Sequence, residues 1–294
     1  MPSSSSGVLV IDKPRGCSSH DVVAQARRLL GRRDIGHAGT LDPMATGVLL
    51  LLVGQACKLS GYLTSSDKRY AAEITFGSAT DTLDAEGRVV QTSPVDAALM
   101  ASERVAEALA AERERRLQHP PSVSALKVDG RRAYALARRG EPVKLAPRDV
   151  WVRKLALLEL DPPRLSCELL VSKGYYVRAL ARDLGQALGL PAHISALRRL
   201  ASGAFRIEEA TAWPAADVPP LIPLASAAMR ALPAAEMTSE GAARARSGKR
   251  LGAHDFITQP EAEGPIAFVA GGELVALGTL GEAPRVLRGF VSEP

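Results

Sequence analysis

The stretch Gly36-His37-Ala38-Gly39-Thr40-Leu41-Asp42-Pro43-Met44-Ala45-Thr46-Gly47 runs directly into Val48-Leu49-Leu50-Leu51-Leu52-Val53, and the rest of the sequence is read outward from it. It sets one carboxylate in a loop of small residues at the mouth of a continuous apolar run. Small residues let another backbone or a ligand come close. Pro43 stiffens the chain directly after Asp42. The apolar run shows no polar alternation, so it is a buried strand or the core of a helix. An acid at the edge of such a core is a candidate reactive group, although an Asp before Pro in a loop is also an ordinary turn former.

Upstream, Val8 to Ile11 is a short buried-strand candidate ended by Asp12-Lys13-Pro14. Ser18 or Ser19 can cap a helix whose apolar positions Val22, Ala26, Leu29 and Leu30 share a face, with Gly31 closing it. Residues 32 to 47 then read as one basic, glycine-bearing loop. Downstream, Tyr70 to Phe76 alternates as a strand, Asp81 to Gly87 is turn-rich, and residues 95 to 117 read as one long, exposed, charged helix. Residues 119 to 145 are framed by Pro120-Pro121 and Pro142 and carry Lys127, Arg131, Arg132, Arg138 and Arg139, the pattern of a basic arm lying on a ligand or of a surface helix and turn. Val150 to Leu160 and Arg164 to Val171 pair around Asp161-Pro162-Pro163, and Tyr175 to Leu188 is a helix closed by Gly189. After the proline-rich stretch Pro214 to Pro223, a short helix (Ser239 to Ser247) and three short strands between glycines (Ile266 to Val269, Leu274 to Leu277, Arg285 to Phe290) suit a small β-rich module. The sequence thus divides into residues 1–222 and 223–294.

The 294 residues carry 37 Lys and Arg against 32 Asp and Glu, a formal charge of +5, and arginine pairs recur at 27/28, 32/33, 131/132, 138/139 and 198/199. The planar guanidinium fork suits phosphate oxygens. Aromatic residues make up only 4%, so a nucleic acid would be held by shape and phosphates with one or two stacking rings, and not by a long row of them. Three widely spaced cysteines (17, 57, 167) argue against a disulfide framework and a zinc site. The serine-rich start lacks the pattern of a signal peptide. The apolar run at 48–53 falls far short of the roughly 20 residues that cross a bilayer. A cytoplasmic protein with no membrane partner is expected.

Several chemistries have no footing. There is no phosphate-binding G-x-x-x-x-G-K-[ST] loop, no H-E-x-x-H and no G-x-S-x-G. The five histidines are scattered, so a metal-dependent hydrolase built on His37, Asp42 and Asp84 lacks ligand spacing.

The stretch around Asp42 resembles the catalytic motif of the TruB family of tRNA pseudouridine synthases, and the likeness continues along most of the chain. Gly7 to Val22, with Asp12-Lys13-Pro14 and Gly16, resembles the family's first motif. Asp67-Lys68-Arg69-Tyr70 through Phe76-Gly77 and Thr80 to Asp84 resemble its second. Pro120-Pro121 to Arg138 resembles its proline-led insertion, and Ser172 to Gly185 another block. Val123 departs from the usual aromatic, Tyr175 from a small hydroxyl residue and Cys17 from Thr.

The resemblance implies an α+β fold, with a mixed, largely antiparallel sheet in the catalytic domain and a small C-terminal β-rich module of the PUA kind. It implies isomerisation of the uridine at position 55 in the T-loop of tRNA, after the base has left its stack, with Asp42 essential and neither cofactor nor metal. Tyr70 would stack on the uracil and Arg178 would pair with Asp42. Tyr176 and Leu197 would line the pocket, His37 would fill the space the base vacates, and Lys58 and Asp84 would lie near the site. Arg131 and Arg132 would hold RNA phosphates. A monomer without an obligate protein partner is implied; a non-catalytic RNA-binding protein and a guide-RNA-dependent enzyme within a larger complex are the competing readings.

Overall fold

A computed structural model describes residues 5–123, 127–128, 131–132 and 145–292. In chain order the elements that matter here are β1 (Gly7–Lys13), α1 (Ser19–Leu30), β2 (Ile35–Ala38), β3 (Thr46–Val53), β4 (Lys68–Phe76), α2 (Ser102–Arg113), β5 (Leu117–Gln118), β6 (Arg148–Asp149), β7 (Val152–Asp161), β8 (Arg164–Val171), α3 (Val177–Leu188) and β9 (Ala192–Ser202). The C-terminal part adds α4 (Leu224–Ala231), β10 (Ala234–Met237), α5 (Ser239–Arg246), β11 (Phe256–Thr258), β12 (Ile266–Ala270), β13 (Glu273–Thr279) and β14 (Arg285–Gly289). The mixed α+β architecture expected from the sequence is the one observed.

The chain forms two compact units, one of residues 1–42, 48–66 and 202–294, the other of residues 43–47 and 67–201. In the first, β3 lies beside β1 and pairs antiparallel with β2, Ile35 opposite Val53 and Ala38 opposite Leu50. Thr211 and Ala212 pair parallel with Ile11 and Asp12. The apolar run 48–53 is therefore a strand, and every residue in it is buried, as a strand covered on both faces must be. Its partner β2 falls inside the segment read above as a loop. Ile-Gly-His-Ala has little strand propensity of its own, and the hydrogen-bonding edge of β3 imposes its conformation. Helix α1 starts with a reciprocal cap: Ser18 Oγ accepts from Asp21 N (3.2 Å) and Asp21 Oδ2 accepts from Ser18 N (2.8 Å). Gly31, in the left-handed region at φ +63°, ends it.

The C-terminal residues make their own five-stranded sheet in the order β11-β10-β12-β13-β14. It is not energetically separate: Ala267, Val269, Leu274, Leu277 and Phe290 share one core with Val8, Val10, Val48, Leu50 and Leu52.

In the second unit the strand order is β7-β8-β4-β9. Strands β7 and β8 form the expected hairpin, Asp161 opposite Arg164, and β8 runs antiparallel to β4 with Val171 opposite Lys68 and Tyr70 opposite Leu169. The segment 95–117 is not one exposed helix. A 3-10 turn over Ala97–Met100 precedes α2, and extended backbone at Ala101 separates them. Val105, Ala108, Leu109 and Glu112 recur at helical spacing and are buried, which makes α2 a packed helix. Strand β9 has no counterpart in the sequence reading, because its His-Ile-Ser-Ala-Leu-Arg-Arg pattern hides the alternation.

Candidate active site

The loop that carries Asp42 is fixed at both ends. On its upstream side Ser19, fully buried in the first turn of α1, grips Leu41 with one hydroxyl: Oγ donates to the Leu41 carbonyl (3.1 Å) and accepts from the Leu41 N–H (2.9 Å). On its downstream side, within the second unit, Thr46 and Gly47 pair parallel with Arg198 and Arg199 of β9, and Arg198 Nη1 donates to Thr46 Oγ1 (3.3 Å). Gly47 sits at φ +100°, and a Cβ there would strike the backbone carbonyl of Arg199 and come within 2.8 Å of its nitrogen. Only glycine permits that approach. Met44 and Ala45 are buried while Asp42 is half-buried.

The second unit contributes a buried arginine. Arg178, in the first turn of α3, is 6% exposed. Its Nη1 donates to the Thr82 carbonyl (2.8 Å) and its Nε lies 3.7 Å from Asp84 Oδ2. Asp84 is itself held: Oδ1 accepts from Thr82 Oγ1 (2.7 Å) and from Glu86 N (3.1 Å), and its backbone bridges to Ile194. Between them Leu83 adopts φ +63°, the one positive φ among the described non-glycine residues. Such a conformation costs on the order of 1–3 kcal/mol and persists only where its surroundings over-determine it. Here the hydroxyls of Thr80 and Thr82 and the Asp84 carboxylate do so. The strained turn aims a carbonyl and a carboxylate at one guanidinium and thereby sets its plane.

Tyr70 is half-buried on β4, on the same face as Lys68, Ala72, Ile74 and Phe76. Leu197 is buried on the neighbouring strand β9, and Tyr176 is the half-buried residue immediately before α3. Thus Tyr70, Asp84, Tyr176, Arg178 and Leu197 all belong to one unit, and Arg178 and Asp84 are in direct contact. His37 lies on β2 in the other unit, its ring edge-on to His20 at 5.2 Å between centroids. Lys58 belongs to the first unit; its ammonium donates to the Gly289 carbonyl and to Gln55 Oε1, both at 3.0 Å, and lies over the Phe290 ring. That charge is occupied in anchoring the C-terminal segment. Arg131 and Arg132 form a short antiparallel pairing with Val128 and Lys127, and their side chains lie outside the described residues.

Three buried cations escaped the sequence reading: Lys13, which is fully buried, Lys68 and Arg199. Lys68 is 7% exposed and Arg199 1%. Burial, reinforced by the Arg199 charge and more weakly by Lys173, pulls the Lys68 amine down to about 8. In the sequence Arg198-Arg199 is one of the arginine pairs suited to phosphate oxygens, and the alternation Leu197, Arg199 along β9 is the available signal of burial. Among the described residues no group of three or more His, Cys, Asp or Glu is placed to hold a metal, and no helix is long and apolar enough to cross a membrane.

The fold recurs in solved structures. A Cbf5-Nop10-Gar1 complex aligns with a TM-score of 0.73 and 25% identity over 97% of this chain and 85% of that one. An H/ACA RNP bound to a substrate RNA containing 2'-deoxyuridine aligns equally well at 23% identity, a likeness of fold. Sequence relatives are nearer and define the class, an RNA uridine isomerase of the pseudouridine synthase kind. Proteins named tRNA pseudouridine synthase B from Arthrobacter sp. (strain FB24) and Opitutus terrae are 42% and 46% identical, over 92% and 73% of this chain and 92% and 88% of their own lengths. The chain belongs to the TruB family: residues 27–177 match the N-terminal domain of the TruB family pseudouridylate synthases, and residues 178–222 match the tRNA pseudouridylate synthase B C-terminal domain.

Proposed function

We propose that this protein converts the uridine at position 55 in the T-loop of tRNA to pseudouridine, with Asp42 as the essential carboxylate and without a cofactor. The observation that carries the reading is the Asp42 loop, pinned by Ser19 on one side and by a glycine-only approach at Gly47 on the other, in a chain of this family.

The reaction breaks the bond between ribose C1′ and uracil N1, turns the base, and joins C1′ to C5. The C5 proton leaves and N1 gains one, so nothing is oxidised or hydrolysed. Positive charge develops on the sugar as the first bond breaks. A carboxylate beside C1′ stabilises that charge or adds to the carbon; alternatively it removes the C2′ proton and the sugar passes through a glycal. Asp42 serves in either route. The base must be extruded to be reached. Tyr70 stacks on it, Tyr176 and Leu197 wall the pocket, and His37 occupies the space left in the RNA. Arg178, its plane set by Thr82 and Asp84, orients Asp42. Arg131 and Arg132 hold phosphates. The enzyme acts as a cytoplasmic monomer with no obligate protein partner. Identities of 42–46% to the named tRNA enzymes, against 23–25% to chains of the H/ACA RNP and of the Cbf5-Nop10-Gar1 complex, favour this over a guide-RNA-dependent assembly.

The experiment uses purified protein and an unmodified tRNA transcript tritiated at uracil C5. Release of tritium from the T-loop uridine, abolished in Asp42→Asn with tRNA affinity kept within a few-fold, is the expected result. Release by Asp42→Asn near the parent rate removes Asp42 as the catalytic acid. Tight binding without release by the parent protein favours a non-catalytic RNA-binding role.

A further inference from the structure

Gln118, 1% exposed on β5, has its backbone fixed by antiparallel pairing with Arg148. Its side chain spans both peptide groups of one distant residue: Oε1 accepts from Tyr176 N (2.8 Å) and Nε2 donates to Tyr176 O (3.2 Å). The partners leave one orientation for the amide, since a backbone N–H can only donate and a carbonyl can only accept. Tyr176 is the residue from which α3 starts. Its carbonyl accepts from Ala179 N (3.0 Å) and Leu180 N (3.3 Å), and its side chain supplies no cap. The two-point grip therefore sets where the helix begins and, two residues on, where Arg178 meets Thr82 and Asp84.

The same junction is tied twice more. Tyr175 Oη donates to Glu112 Oε1 (2.8 Å), and Arg182 Nη2 donates to the His119 carbonyl (2.9 Å). These ties hold α3 to the segment 112–119, from whose end the basic insertion departs.

We infer that Gln118 is a positioning residue for the reaction, holding Tyr176 and the first turn of α3 so that Tyr176 and Arg178 present their side chains to the substrate. The inference rests on the pseudouridine synthase reading of Tyr176 and Arg178. Displacing a positioned group by about 1 Å can cost roughly a hundredfold in rate, so a grip on the backbone of one pocket residue has large leverage.

The test is single-turnover tritium release from the tRNA transcript at saturating enzyme, with tRNA affinity measured in parallel. Gln118→Ala is expected to slow release on the order of 10- to 100-fold while the affinity stays within about threefold. Gln118→Glu is the second variant. As a neutral acid it offers one acceptor and one donor, as the amide does; as a carboxylate it loses the donor and faces the Tyr176 carbonyl with a charge. Its rate relative to the parent should be near one at pH 5.5 and fall steadily toward pH 8.5. Taking the ratio cancels what the two proteins share, the adjoining ion-pair cluster of Glu112, Asp183, Arg115 and Arg182 included. Undiminished release by Gln118→Ala, or a Gln118→Glu to parent ratio flat with pH, overturns the inference while leaving the function standing. A parent protein that releases no tritium defeats the functional reading and this inference with it.

Discussion

Replacing Asp84 tests whether the strained turn before it exists to hold Arg178. The two side chains are each 7% exposed and 3.7 Å apart. At that separation and an effective dielectric near 20, their attraction is about 4 kcal/mol. Removing one partner of a buried pair typically costs about 3–5 kcal/mol, because the other charge stays buried. Asp84→Ala also strips the acceptor from Thr82 Oγ1 and Glu86 N, loosening the turn in which Leu83 sits at φ +63°. Asp84→Asn keeps that acceptor and removes only the charge, so it should be about 1 kcal/mol less costly than Asp84→Ala. In urea, with a slope near the upper end of about 1–3 kcal/mol per molar for a chain of this length, Asp84→Ala should lower the unfolding midpoint by about 1–2 M. Single-turnover tritium release measured on the folded protein should fall with it, since Arg178 keeps the Thr82 carbonyl but loses the group that fixes its second edge. An Asp84→Ala protein within about 1 kcal/mol of the parent, turning over at the parent rate, would refute both the energetic and the positioning argument.

Other expectations follow from the same geometry. Tyr70→Leu should lose most turnover with tRNA affinity nearly kept, and Tyr70→Phe, assayed by tritium release, separates ring from hydroxyl; full activity in Tyr70→Leu would remove the stacking role. Lys68, drawn down by burial to about 8 from 10.5, makes stability depend on pH. Between those values the unfolded chain binds the proton that the folded amine has shed, so stability rises with pH through the window and is lost as pH falls through 8. Urea unfolding at pH 7.5 and 9.5 should show the parent gaining about 2 kcal/mol more than Lys68→Met; equal gains would place the amine at its ordinary value. Arg131→Ala or Arg132→Ala should weaken tRNA binding and reduce its salt dependence by about one charge, and an unchanged salt slope would remove that residue from the RNA interface.

Residues near one another in the chain determined much of this by themselves. The capped helix from Ser18 to Gly31, the hairpin around Pro162-Pro163 and the C-terminal strands between glycines follow from capping, turn chemistry and alternation, which act over a few residues. The Asp42 loop, too, was legible as a short run of unusual composition. Tertiary structure alone decided the rest. Val48 to Val53 is buried either as strand or as helix, and pairing with β2 beside β1 makes it a strand. Arg178 and Arg199 look like surface arginines, and burial turns them into fixed charges. Arg178 meets a carbonyl 96 positions away, and Gln118 grips a residue 58 positions away. A buried charge or amide is stable only where partners satisfy it, and when those partners lie across the fold, no local pattern can announce them.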